Sequence, residues 1–249
     1  MIEIIYALWR RDMVKFLRDR RNLITSMVRP FLWLVAFGFG LRASVNLPGH
    51  ETDFVSFLVP GMAAMTVLFA SMFAAISIVW EREFGFLKEL LVAPTPRGAI
   101  VVAKLAAGSS TATVEAALML ALSPLLGARF SVGGALLALP LLALFGMAMN
   151  ALGIVVAARM RSFEGFGSLI NFVIQPIFFL SGALYPIDGL PRALRVIVLL
   201  NPMSYVVDAV RGLCLGVHHF PIALDVAVAL AAALAFGALA RRAFNKMEV

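Results

Sequence analysis

Residues 136–144 are apolar at every position, and they lie within one of six stretches of about 20 residues in which apolar side chains dominate. Nothing else in the chain limits its folding as strongly, because a helix needs about 20 apolar residues to cross roughly 30 Å of hydrocarbon. The expected spans are 23–41, 54–80, 99–126, 133–158, 167–184 and 222–240. With 62% hydrophobic and only 14% charged residues, the 249-residue chain has too little polar surface to clothe a water-soluble globule. A membrane barrel would alternate lumen-facing polar with lipid-facing apolar positions, a pattern that the unbroken run 136–144 excludes. The expected fold is therefore all-α and integral to the membrane, six transmembrane helices in a single domain over 1–249.

The basic residues orient the bundle. Segments on the side of the N-terminus carry 16 Lys and Arg, among them Arg10, Arg11, Lys15, Arg82, Lys104 and Arg241, against 5 on the other side. The positive-inside rule then puts both termini in the cytoplasm, in a multi-pass protein of a cytoplasmic membrane. Topology and anionic lipid account for the net charge of +7, so a nucleic-acid partner is not expected. Within residues 1–22, Ile2, Ile5, Trp9, Met13 and Phe16 recur at helical spacing, with Arg11, Lys15 and Arg18 on another face. This describes a helix lying in the interface against membrane lipid. About 20 mixed residues precede the first span, which is unlike a cleavable signal peptide.

Between the second and third spans, 81–96 forms a compact charged segment stopped by Pro94 and Pro96. Phe84, Leu87 and Leu91 share a stripe at i, i+3 and i+7, with Phe86 and Leu90 beside it and Glu81, Glu83, Lys88 and Glu89 as polar contacts. Such a pattern suits a helix entering an apolar groove on a partner. Its glutamates, set against only Arg82 and Lys88, make it a poor ligand for anionic lipid.

Several chemistries are excluded. A phosphate-cradling loop needs Lys after Gly, and the four lysines follow Val14, Leu87, Ala103 and Asn245. The chain is thus not expected to be an enzyme or to bind ATP. The lone Cys214 rules out an intrachain disulfide or a cysteine metal cluster, and His50, His218 and His219 fall in loops, so no metal or other cofactor is expected. Glu115, near the middle of the third span, is the most unusual position, because a charge at membrane depth costs at least about 2.5 kcal/mol. It either faces a polar translocation path or holds helices together. Asn150, Asn171 and Gln175 also lie in spans, where they line the same path or hydrogen-bond between helices. The stretch 185–221 is too polar and proline-broken to be one further span, yet too apolar for a free loop.

Five segments in order carry a resemblance. They are Arg18-Asp19-Arg20-Arg21-Asn22 after the N-terminal helix, Phe57-Leu58-Val59-Pro60-Gly61-Met62, Glu89-Leu90-Leu91-Val92-Ala93-Pro94, Leu180-Ser181-Gly182-Ala183-Leu184-Tyr185-Pro186, and Leu200-Asn201-Pro202-Met203-Ser204-Tyr205. Together they resemble the type-2 ABC exporter permeases, over essentially the whole chain. The resemblance implies that 81–96 is a coupling helix docking on a separate ABC ATP-binding subunit, which holds the ATP and Mg. It also implies two short re-entrant helices in 185–221 that gate the outer exit, with Asn201-Pro202 as their break and Tyr185 and Tyr205 beside it. Asp188, Arg192, Arg195, Asp208 and Arg211 would lie near the outer interface. The implied assembly is two permease copies, as a homodimer, with two ATP-binding subunits, exporting an amphipathic or lipid-linked substrate across the bacterial inner membrane. The alternatives are an ATP-independent channel or secondary transporter, and a membrane-embedded lipid enzyme.

Overall fold

The computed structural model describes residues 2–40, 53–86, 96–160, 162–187 and 190–247. Every regular element among them is a helix: α1 (Ile2–Arg18), α2 (Arg20–Gly40), α3 (Phe54–Ala74), α4 (Ile76–Glu83), α5 (Arg97–Leu122), α6 (Val132–Ala157), α7 (Phe163–Phe179), α8 (Arg192–Leu200), α9 (Pro202–Leu215) and α10 (Ile222–Asn245). Hydrocarbon offers no partner to a backbone N–H or C=O, and a helix satisfies both within itself.

Among the described residues, five helical segments are long and apolar enough to span a membrane, or six if the bent pair α8 and α9 counts as one. They are α2, α3 with α4, α5 with its terminal 3-10 turn Ser123–Leu126, α6 and α10. The expected fifth span is the shorter α7, 17 residues and therefore about 26 Å long. It starts at Phe163, four positions before the expected 167, because Ser162 caps it, its Oγ accepting from the Gly165 N–H at 3.2 Å. It ends at Phe179, ahead of a turn in which Gly182 takes φ 71°.

The second span also differs from expectation. Phe54–Glu83 runs 30 residues with a break at Ala75, about 45 Å in all and well beyond the hydrocarbon thickness. Glu81 and Glu83 therefore ride on the end of a span and do not open a separate helix at 81. The chain bends just after them, at Phe84 and Gly85 (φ 77°). Leu87, Lys88 and Leu91 lie outside the described residues.

α3 is the centre of the bundle, with 17 of its 21 residues buried against α2, α5, α6 and α9. Close approach is achieved with small residues, as membrane helices require in the absence of a strong hydrophobic drive. α5 buries Ala103, Ala107, Gly108, Ser109, Ala112 and Ala116, while α6 buries Ala138, Gly146, Ala148, Ala151 and Gly153. At Gly61 the contact admits no side chain, since a Cβ would stand 2.5 Å from the Ala183 carbonyl oxygen. α1 packs along α5. Of its apolar stripe, Ile5, Trp9, Met13 and Phe16 are half-buried and Ile2 is exposed.

Candidate functional site

A cavity of about 960 Å³ opens between the α1–α2 pair and the core helices α3 to α6. Its inner wall is apolar and aromatic, with Met65, Phe69, Phe73 and Ile154, and its mouth is charged. Glu115 lines it and is 6% exposed. Ser26 of α2 lines the same wall, its hydroxyl donating to the Leu23 carbonyl at 3.0 Å. Glu115 is the nineteenth of the 30 residues of the segment Arg97–Leu126, near its middle. Asn150 shares this wall and donates to the Lys104 carbonyl at 2.9 Å, a helix-to-helix bond that crosses the bare backbone of Gly108.

An ion cluster forms the mouth. Lys104 Nζ reaches Glu81 Oε1 at 2.6 Å and Asp12 Oδ2 at 3.3 Å, and Arg11 reaches the same Glu81 oxygen at 3.0 Å and Asp12 at 2.9 Å. Burial pulls the Arg11 guanidinium down, but the Asp12 and Glu81 carboxylates more than offset it and hold it above its ordinary value. Trp9 Nε1 donates to Ser110 Oγ at 3.1 Å, so α1 is fastened to α5 at two levels. Beside the cluster, Arg82 donates to the Met160 and Ala158 carbonyls at 2.8 and 3.1 Å, satisfying groups that the end of α6 leaves open. In the sequence Lys104, Arg11 and Asp12 had passed only as topology charges or surface residues. The available signal was Lys104 itself, seven residues into an apolar helix, because a cation 6% exposed requires a partner.

Glu81, expected as a docking contact, is instead consumed by this cluster. The exposed residues at the end of α4 are Glu83, Phe84, Phe86 and half of Trp80. Phe84 is 70% exposed and stacks on Trp80 at 5.1 Å, and Trp80 in turn leans on Phe163 at 4.3 Å. The result is an aromatic ridge joining α4 to α7.

Asn171 and Gln175, expected near the same path as Glu115, are outside the cavity. With Glu164 and Ser168 they form a polar stripe at i, i+4, i+7 and i+11 on the exposed face of α7, whose opposite face buries Phe166, Ile170, Ile174 and Phe178.

The far end of the bundle is built differently. α8 and α9 meet at 85°, and the break falls at Asn201-Pro202. Asn201 Oδ1 accepts from the Met203 N–H at 3.0 Å, and its Nδ2 donates to the Ile177 and Leu180 carbonyls at 2.6 and 2.9 Å. One side chain thus caps α9 and clamps it to the end of α7. Tyr205 and Tyr185 donate to the Leu199 and Phe179 carbonyls at 2.8 and 2.7 Å. Burial raises the Tyr185 hydroxyl above its ordinary value, and a bond to the Gly182 backbone partly offsets this. Asp208 and Arg211, expected at an outer interface, are buried. Asp208 accepts from the His219 and Phe220 N–H groups, and Arg211 lies 3.8 Å over the Phe57 ring while donating to the Gly182 carbonyl. None of these residues touches the cavity.

Known proteins are similar to this chain in sequence. Nodulation protein J of Rhizobium leguminosarum bv. trifolii is 30% identical over 213 residues, 84% of this chain and 80% of its own length. The putative transport permease ycf38 of Cyanophora paradoxa is 26% identical over 85% of this chain and 74% of its own. The probable doxorubicin resistance ABC transporter permease protein DrrC of Mycobacterium tuberculosis is 28% identical over 83% of this chain and 75% of its own. The sequence profile described as ABC-2 type transporter matches residues 3–215, which takes in every helix of the cavity and the bent pair beyond it, so the chain belongs to the ABC-2 type transporter family as a multi-pass membrane permease.

Proposed function

We propose that this permease is one of two identical membrane subunits of an exporter, driven by two ABC ATP-binding subunits that hold the ATP and Mg, in a bacterial inner membrane with both termini cytoplasmic. It moves an amphipathic or lipid-linked molecule outward. The observation that carries the reading is the aromatic ridge of Trp80, Phe84 and Phe163, with Phe84 70% exposed, at the end of a span that overshoots the hydrocarbon. Large apolar rings held out in water, on the side with most Lys and Arg, are what a helix-in-groove contact with a cytoplasmic partner requires. Glu83 adds the polar contact beside them.

The polar stripe of α7 supports the second copy. Asn171 spends one amide N–H on the Gly167 carbonyl at 2.9 Å, but its remaining amide groups and those of Gln175 would find no partner among acyl chains, whereas the same stripe on an identical subunit would supply one across a two-fold axis. In this reading the stripe lines the passage between copies, and the bent pair α8 and α9 dips back to close its outer end, with its break at Asn201 and Pro202.

Docking is tested by capture of the ATP-binding subunit from membranes that carry both proteins. Phe84→Asp puts a charge where an aromatic anchor enters the groove, and it is expected to weaken capture by about tenfold or more while insertion persists, since truncated hot spots cost about 2 kcal/mol or more. Undiminished capture, or ATP hydrolysis by the purified permease alone, would sink the reading.

A further inference from the structure

We propose that the cavity behind α2 receives an organic monocation, an amphiphile with one positive charge on an apolar or aromatic body, and that Glu115 is its counter-charge. The proposal deepens the exporter reading by naming a substrate class, and the binding site stands on its own geometry.

The charges lining the cavity do not cancel in place. At the mouth, Arg11 and Lys104 are taken up by Asp12 and Glu81. Lys15 and Asp19 sit on the rim, at the C-terminal end of α1. The two remaining charged residues are the exposed Arg29 and the buried Glu115. They form no ion pair within 4.0 Å among the described residues, because the Arg29 guanidinium lies 4.7 Å over the Phe69 ring. Glu115 faces the open volume, and the nearby Ser26 hydroxyl is donated to the Leu23 carbonyl. A carboxylate in that position, among Met65, Phe69 and Phe73, is costly unless a cation completes it.

The rest of the wall suits the same ligand. Aromatic faces attract cations and tolerate apolar bodies, and Arg29 on Phe69 demonstrates that a ring of this wall holds a delocalised cation on its face. A volume of about 960 Å³ lies within the range of about 300–1,000 Å³ that accommodates drug-sized ligands. An anion of equal size would meet Glu115 head on. A neutral amphiphile would gain nothing from it.

Tetraphenylphosphonium and tetraphenylborate share a shape and differ in the sign of their charge, so they separate the role of Glu115 from that of the apolar wall. Binding of each is measured to the purified permease in nanodiscs of neutral lipid, with no ATP-binding subunit present. Tetraphenylphosphonium is expected to bind wild type at least about tenfold more tightly than Glu115→Gln, which keeps the shape and removes the charge. Glu115→Asp is expected to stay within about threefold of wild type, and tetraphenylborate to show no loss in Glu115→Gln. Equal affinity of wild type for the two ions, a comparison that needs no variant, would overturn the proposal, as would undiminished tetraphenylphosphonium binding by a folded Glu115→Gln protein. Capture of the ATP-binding subunit involves no organic cation, so the two readings fail independently.

Discussion

Charge is buried at both ends of this bundle, but the two ends bury it by opposite means. At the mouth of the cavity, side chain meets side chain: Lys104 and Arg11 share one oxygen of Glu81 and both reach Asp12. At the far end, polar side chains are spent on backbone groups, with Asn201 on the Ile177 and Leu180 carbonyls, Arg211 on the Gly182 carbonyl and Asp208 on the His219 and Phe220 N–H groups. Long charged side chains with two alternative partners can exchange them as helices slide, so the mouth tolerates movement. A backbone carbonyl freed at a helix end has one fixed position, so the far end is a clamp.

The sharpest way to break the comparison is to remove the cation that three helices share. Lys104→Met leaves Glu81 and Asp12 to share the partly exposed Arg11, and it is expected to destabilise the chain by about 3 kcal/mol, the lower end for breaking a buried pair. Thermal unfolding in detergent reads this. The double variant Lys104→Met with Glu81→Leu should recover much of the loss, whereas additive losses would mean that the two residues act separately.

Asn201→Ala tests the clamp. It removes a helix cap and two donors, so a loss of about 2 kcal/mol is expected. Asn201→Asp keeps the cap and loses the donors, and should fall between. If both variants unfold like the parent, the break between α8 and α9 is held by Pro202 alone.

The smallest effect belongs to the tyrosines. Tyr185→Phe deletes one exposed hydroxyl bond to the Phe179 carbonyl and is expected to cost under about 1 kcal/mol. A loss as large as that of Asn201→Ala would show that the far end is a coupled network and not a set of separate clasps.

Much of the architecture was legible because hydrocarbon is a simple solvent. The helical class and the rough place of five of the expected spans follow from chain length against membrane thickness, whereas the break at Asn201-Pro202 was implied by the family resemblance. Helix ends were less legible, since Ser162 starting α7 and α4 carrying the span through Glu83 are local capping and packing events that apolarity alone does not register. The fate of each polar side chain depended on helix rotation. Glu115 looks into a cavity, Asn171 and Gln175 look away from it, and Glu81 is claimed by Lys104 from another helix. A span that is apolar on nearly every side has no preferred face of its own, so its rotation is set by the small residues of its neighbours, and tertiary packing alone decides which polar groups meet.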